Sequence, residues 1–235
     1  MKNKILFTLL AMAAGSLLAA DSGPKDELIA AAKKLAQQGY SWKTTLEMGN
    51  FSNVSEGKAD KDGLVQLTVT FNDNTTQAFL KGEKGAVKLQ DQDWQSLADL
   101  ASANSGQRGP GRFMGGMFRT YKAPAAQVEE LVGKTQEIRK DGDTYAADLT
   151  EAGAKSQLTM GGRRGGANAP EPSNAKGSIR ISLKDGLVSK YELRVQGTMT
   201  FNGEDRDINR TTTIEIKDVG KTKLEVPDDA KNKMS

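Results

Sequence analysis

Apolar and polar residues alternate with a period of two along most of the C-terminal quarter of the chain. Ile179, Ile181 and Leu183 share one phase, with Ser178, Arg180 and Ser182 in the other. After a Lys184-Asp185-Gly186 turn, Leu187–Phe201 sets Leu187, Tyr191, Leu193, Val195, Met199 and Phe201 against Val188, Lys190, Glu192, Arg194, Gln196, Thr198 and Thr200. Asn202-Gly203 turns the chain again, and Arg206–Lys217 alternates through Ile208, Thr212, Ile214 and Ile216. A period of two with a polar partner face predicts antiparallel strands that are covered on one side and wet on the other. A strand near fifteen residues spans roughly 50 Å, well beyond the usual five or six residues. A sheet of that length must twist and curl. The pattern therefore predicts a curved half-barrel with a concave apolar face.

The first half of the chain repeats the period of two after a helix. Leu28, Ala32, Leu35 and Ala36 recur at helical spacing over Pro24–Gln38, with Ser22 as the expected N-cap and Gly39 as the expected C-cap. Short alternating runs follow at Ser41–Met48, Val54–Asp60, Leu64–Phe71, Thr75–Lys81 and Ala86–Gln90, separated by Asp-Gly and other Gly turns. They predict a hairpin meander. The middle reads as helical. Asp91 or Asp93 would cap a helix through Trp94, Leu97 and Leu100, and Pro124 would open one carrying Val128, Leu131 and Val132. Gln136–Arg139 and Tyr145–Leu149 form a hairpin about Asp141-Gly142, and Thr150 caps a short helix to about Met160. Lys221–Val226 reads as a last strand, and Pro227-Asp228-Asp229 opens a short helix.

These elements amount to an α+β fold, a curved antiparallel half-barrel covered by helices. Residues 1–20 stand apart: Lys2 and Lys4 precede an apolar run from Ile5 to Leu18 and the small residues Ala19-Ala20. That is the form of a secretory signal peptide, which leaves 21–235 as a single domain. The run is too short for a membrane span. The chain has no Cys, so an exported form stands on packing without disulfides. A bacterial periplasm is the first expectation for its location, and a secreted form the second. Formal net charge is +3. Two of those lysines belong to the leader, so residues 21–235 carry +1. That balance gives no case for a nucleic-acid partner. Two segments interrupt the elements and read as flexible Gly/Arg-rich loops: residues 103–118, with Gln107-Arg108-Gly109-Pro110-Gly111-Arg112-Phe113-Met114, and residues 161–175, with Arg163-Arg164-Gly165-Gly166.

The chemistry open to this chain is narrow. There is no His and no Cys, which removes His- and Cys-based nucleophilic catalysis and the usual zinc, copper and haem ligand sets. The acids fall mostly in turns, as at Asp60, Asp62, Asp141, Asp143, Asp205 and Asp207, where turn chemistry accounts for them. No catalytic residue, metal site or cofactor is expected. Tyr191, Leu193, Val195, Met199, Phe201 and Ile214 are the candidate lining of an apolar ligand cavity, or equally an ordinary core. Arg108 and Arg112, beside Phe113, Met114, Met117 and Phe118, combine forked cation donors with flexible apolar side chains. This would suit a lid that meets a lipid headgroup or touches a membrane surface. In the plain alternative, the Phe and Met side chains tuck back onto the core.

The order of helix, meander, helical middle and long hairpins, ending in Lys223-Leu224-Glu225-Val226-Pro227-Asp228-Asp229-Ala230, resembles the periplasmic lipoprotein-carrier and lipid-carrier superfamily (LolA-like and LppX-like). The resemblance implies an incomplete barrel lidded by helices, with a hydrophobic cavity for acyl chains. On that reading the chain is a non-enzymatic exported protein that binds a lipid or lipoprotein acyl chain. The alternative is an envelope interaction or structural protein with a filled core. A carboxylate-dependent hydrolase would need two convergent acids, and the sequence singles out no such pair.

Overall fold

The computed structural model describes residues 23–71, 74–90, 92–102, 110–159, 171–201 and 203–234. In chain order the elements are α1 (Pro24–Ala36), β1 (Tyr40–Met48), β2 (Phe51–Ala59), β3 (Val65–Phe71), β4 (Asn74–Lys81), β5 (Lys84–Leu89), β6 (Gln95–Ser96), α2 (Leu97–Ser102), α3 (Pro110–Arg119), α4 (Pro124–Val132), β7 (Arg139–Asp141), β8 (Thr144–Asp148), α5 (Glu151–Thr159), β9 (Ser173–Lys184), β10 (Leu187–Phe201), β11 (Glu204–Lys217) and α6 (Asp228–Lys233). The strands form one open antiparallel sheet in the order β6-β5-β4-β3-β2-β1-β11-β10-β9-β8-β7. The two meanders are joined through β1 and β11, which pair from Ser41↔Lys217 to Met48↔Arg210. This is the α+β half-barrel that the alternation predicts.

The register fixes which side chains share a face. Trp42 faces Gly57 on β2 and Ile216 on β11, and the same row continues through Leu67, Ala78 and Val87. Tyr191 faces Ile181 and Ile214, and Leu193 faces Ile179. These residues and their row neighbours form the concave face. They build one core with Leu28, Ala31, Ala32 and Leu35 of α1, Ala125, Val128, Leu131 and Val132 of α4, and Ala154 and Leu158 of α5. A second, smaller core lies on the convex side, where Phe79, Ala86 and Trp94 meet Ala230 of α6.

Several local expectations change. Trp94 precedes α2 instead of lying within a helix, because its ring stacks on Phe79 at 5.5 Å on the convex side. α1 is capped by Gly23 and Gln37, not by Ser22 and Gly39. Pro110–Arg119, expected as part of a flexible loop, is helical, with Pro110 in the first turn where its missing N–H costs nothing. Residues 103–109 and 160–170 of the two expected loops lie outside the described residues, and β9 begins already at Ser173. The register of β9 against β10 shifts between Val188 and Lys190. This reverses the alternation, so Val188 is buried though the simple period sets it on the polar side. Lys221–Val226 is not a strand. It crosses the convex side toward α6, tied where Gly220 N–H donates to the Gly39 carbonyl at 2.7 Å.

Candidate functional site

Among the described residues, the concave face is covered across β10 and neighbouring β11 and open where β1, β2 and β3 end. On β10 and β11, Tyr191, Val195, Leu193 and Ile214 are each no more than 3% exposed, and Met199 is also buried. All five lie in the main core. Tyr40, Tyr191 and Tyr121 carry their hydroxyls into this interior. The Tyr40 oxygen accepts the Ala125 N–H at 3.3 Å, at the start of α4, and the Tyr191 hydroxyl donates to Gln127 Oε1 on the same helix. Burial pushes the Tyr40 pKa up to about 12 and raises those of Tyr121 and Tyr191 further. The three phenols therefore stay neutral at physiological pH. Tyr40 and Tyr191 anchor α4 to the sheet.

Near the β1–β2 and β3–β4 turns, the described helices leave the face uncovered. Met48 is 41% exposed and Phe71 is 50% exposed. Phe51 packs its ring on Phe71 at 5.8 Å, and Leu46 and Val69 are half-buried. The register sets Met48 opposite Phe51. Leu46, Met48, Phe51, Val69 and Phe71 all hold the phase of Trp42 and Leu67, so this open apolar strip lies on the same face of the sheet as the core.

Arg210 stands beside that strip. It holds the concave phase of β11, opposite Met48 on one side and Val195 on the other. Its Nη2 donates to the Gln157 carbonyl of α5 at 2.6 Å. Its Nε is buried without a partner, and the same burial lowers its pKa from the ordinary guanidinium value. No described carboxylate pairs with it. A cation held in low dielectric with neither counter-charge nor full hydrogen bonding is costly. It attracts any anionic group that reaches the open end.

The expected lid residues fall in different settings. Phe118 is 2% exposed and belongs to the main core, with Met117 packed against it. Arg108 lies outside the described residues. Arg112, Phe113 and Met114 sit on the backbone of α3, and Phe201 on that of β10, but their side chains are likewise outside the described ones. The open strip and Arg210 were not singled out from the sequence. The signal was present: Met48 and Phe51 extend the phase of Trp42 across a tight turn, and Arg210 interrupts the apolar series Ile208, Thr212, Ile214, Ile216.

No family model matches the sequence, and no curated protein matches it. Among solved structures the chain is similar to a LolA superfamily protein from Nitrosomonas europaea, at 9% identity over 86% of this chain and 94% of that one, with a TM-score of 0.32. It is similar to MucB in complex with MucA(peri), at 11% identity over 87% of this chain and 60% of that one, with a TM-score of 0.34. It is also similar to a DUF1329 family protein from Desulfovibrio piger, at 11% identity over 86% and 93% of the two chains, with a TM-score of 0.34.

Proposed function

We propose that this chain is an exported, non-enzymatic binding protein that holds an acyl chain of a lipid or lipoprotein on the concave face of its curved sheet. The observation that carries this reading is the uncovered apolar strip of Leu46, Met48, Phe51, Val69 and Phe71, on the same face of the sheet as the core and bordered by Arg210. A monomeric soluble domain seldom leaves such a surface open without a use. Tyr191, Leu193, Val195, Met199, Phe201 and Ile214 form the deeper wall, reached when the helical cover moves. On this reading Arg108, Arg112, Phe113 and Met114 form a lid that meets the headgroup or, transiently, a membrane surface, and Met117 and Phe118 fasten that lid to the core. The periplasm is the location that suits the leader. The reaction set stays empty because the chain lacks His and Cys and its buried phenols stay neutral.

The competing reading is an envelope interaction protein whose concave face is filled. It is favoured by one observation, the near-complete burial of Tyr191, Leu193, Val195 and Ile214. Native mass spectrometry of the protein purified from a bacterial periplasm, with solvent extraction of the same sample, separates the two. A stoichiometric co-purifying lipid supports the carrier. A clean apo mass together with no uptake of a fluorescent fatty acid supports the filled core. Met48→Ser combined with Phe71→Ser changes only exposed side chains, so loss of uptake in that variant with unchanged unfolding would localise entry to the open end.

A further inference from the structure

The convex face carries a second site, unrelated to the acyl-binding reading. There a groove of about 580 Å³ lies between the outward faces of β1, β2 and β3 and the crossing segment after β11. It is lined by Ser41, Trp42, Lys43, Glu56, Gly57, Lys58, Gln66, Thr68, Lys217, Asp218, Lys221, Thr222 and Lys223. That size is within the usual range for small-ligand sites. The register orders its floor. One row runs Gln66, Lys58, Ser41, Lys217 across four adjacent strands, and the next runs Thr68, Glu56, Lys43. Strands are about 4.8 Å apart, so Lys58 and Lys217 flank Ser41 at roughly 10 Å from one another. Lys221 and Lys223 form the facing wall. That wall is fixed in place: a Cβ on Gly39 would meet the Thr222 carbonyl oxygen at 2.6 Å, so the crossing segment packs directly on the start of β1.

Five lysines thus converge on one groove, against two carboxylates. None of the five is ion-paired among the described residues. The neighbouring Glu215 is engaged by Lys190 at 3.4 Å, and Asp218 accepts the Ser41 hydroxyl at 2.6 Å. The chain beyond its leader is near neutral, so this excess is local and is not the tail of a generally basic surface. Lysines gathered in excess over the carboxylates raise the free energy of the empty site and favour an anion. Lysines bind phosphate as point charges. Glu56, Asp218, Gln66, Thr68 and Thr222 add acceptors and donors that a bare anion does not use but that sugar hydroxyls do. Trp42 is 3% exposed and offers almost no apolar surface. We infer that this groove binds a phosphorylated saccharide, either free or as the headgroup of a glycolipid.

The test is an amide chemical-shift titration of the isotope-labelled full chain with glucose 1,6-bisphosphate, with glucose and inorganic phosphate as comparators. A second arm measures co-sedimentation with phosphatidylcholine vesicles with and without lipid A. The inference expects saturable shifts at Ser41, Lys58 and Thr222 with the bisphosphate, none with glucose, and weaker binding of inorganic phosphate. Alternatively, it expects sedimentation only with vesicles that contain lipid A. The soluble result marks a free ligand and the vesicle result a headgroup. In either case the combined variant K58Q/K217Q/K221Q should weaken binding by about tenfold or more. The lysines lie outside both cores, so an unchanged thermal midpoint checks the fold. Absence of binding in both arms, inorganic phosphate binding as tightly as the bisphosphate, or full binding by the triple variant would overturn it.

Discussion

Gly57 shows how a single residue sets the local geometry. It holds the concave phase of β2 opposite Trp42, and a Cβ there would come within 2.1 Å of the indole ring. The ring occupies the space that any other side chain would need. Gly57→Ala should therefore push Trp42 off its packing and destabilise the protein by about 1–3 kcal/mol, measured by urea unfolding. An unchanged midpoint would mean that the ring can swing aside at no cost. Arg210 poses the opposite case. Its guanidinium is buried without a counter-charge, so Arg210→Met should change the stability of the free protein by less than about 1 kcal/mol or raise it slightly. The same variant should lower uptake of a fluorescent fatty acid. Uptake at the wild-type level would remove Arg210 from the proposed entry.

At the scale of elements, α1 is held to the sheet by an ion pair as well as by packing, and α4 is braced by lysines that flank it in the chain. Glu27 of α1 accepts Lys140 Nζ at 2.6 Å and the Tyr145 hydroxyl from the far hairpin. The hydrogen bond from Lys140 is the main reason its carboxyl lies below the ordinary 4.5, and that from Tyr145 adds to it. Glu130 of α4 is lowered in the same way by Lys122 and Lys134. Folded-state pKa values below the unfolded ones give stability that is complete at neutral pH. It starts to fall as the pH drops past the unfolded value near 4.5 and is gone below the folded pKa. Thermal midpoints measured from neutral pH down to acid should thus drop less steeply in Glu27→Gln and Glu130→Gln than in the parent. Equal slopes would show that the pairs are screened out in solution.

The elements also show how far the pattern could be read in advance. Leu187–Phe201 is a strand over the full predicted range, because the period of two that runs from Lys190 onward leaves a helix no consistent face. The Asp185-Gly186 turn before it adopts positive φ at both residues, as a tight hairpin requires. Other features were hidden. A bulge at Val188–Lys190 breaks phase without any Gly or Pro to announce it. The helix over Pro110–Arg119 is masked by three glycines that favour a loop on local propensity. The open strip and the basic groove depend on which residues become neighbours across β1, β2, β3 and β11. Such adjacency is a product of strand order, and alternation within a strand does not encode it.

For the molecule as a whole, the two faces of the sheet are finished by different parts of the chain. The concave side is covered by α1, α4 and α5. The convex side of β4 and β5 relies on the C-terminal helix, through Ala230 against Phe79, Ala86 and Trp94. Ala230→Asp would bury a carboxylate in that small core and should cost roughly 2 kcal/mol or more, with Trp94 fluorescence shifting to the red. If the emission stays unchanged, the tail does not hold this core in solution.

The pairing of β1 with β11 has a bearing on biogenesis. Ser41 of β1 donates to Asp218, just past the end of β11 and 177 residues away, and the two strands lie inside the sheet, not at its rim. Until the last hairpin has been delivered, the N-terminal meander presents β1 as a bare edge and has nothing to close against. Long-range pairing of this kind is slow, since loop closure precedes any compensating contact. A chain built this way cannot join its two meanders until β11 has been made, so closure of the sheet is a late event in the life of the nascent polypeptide.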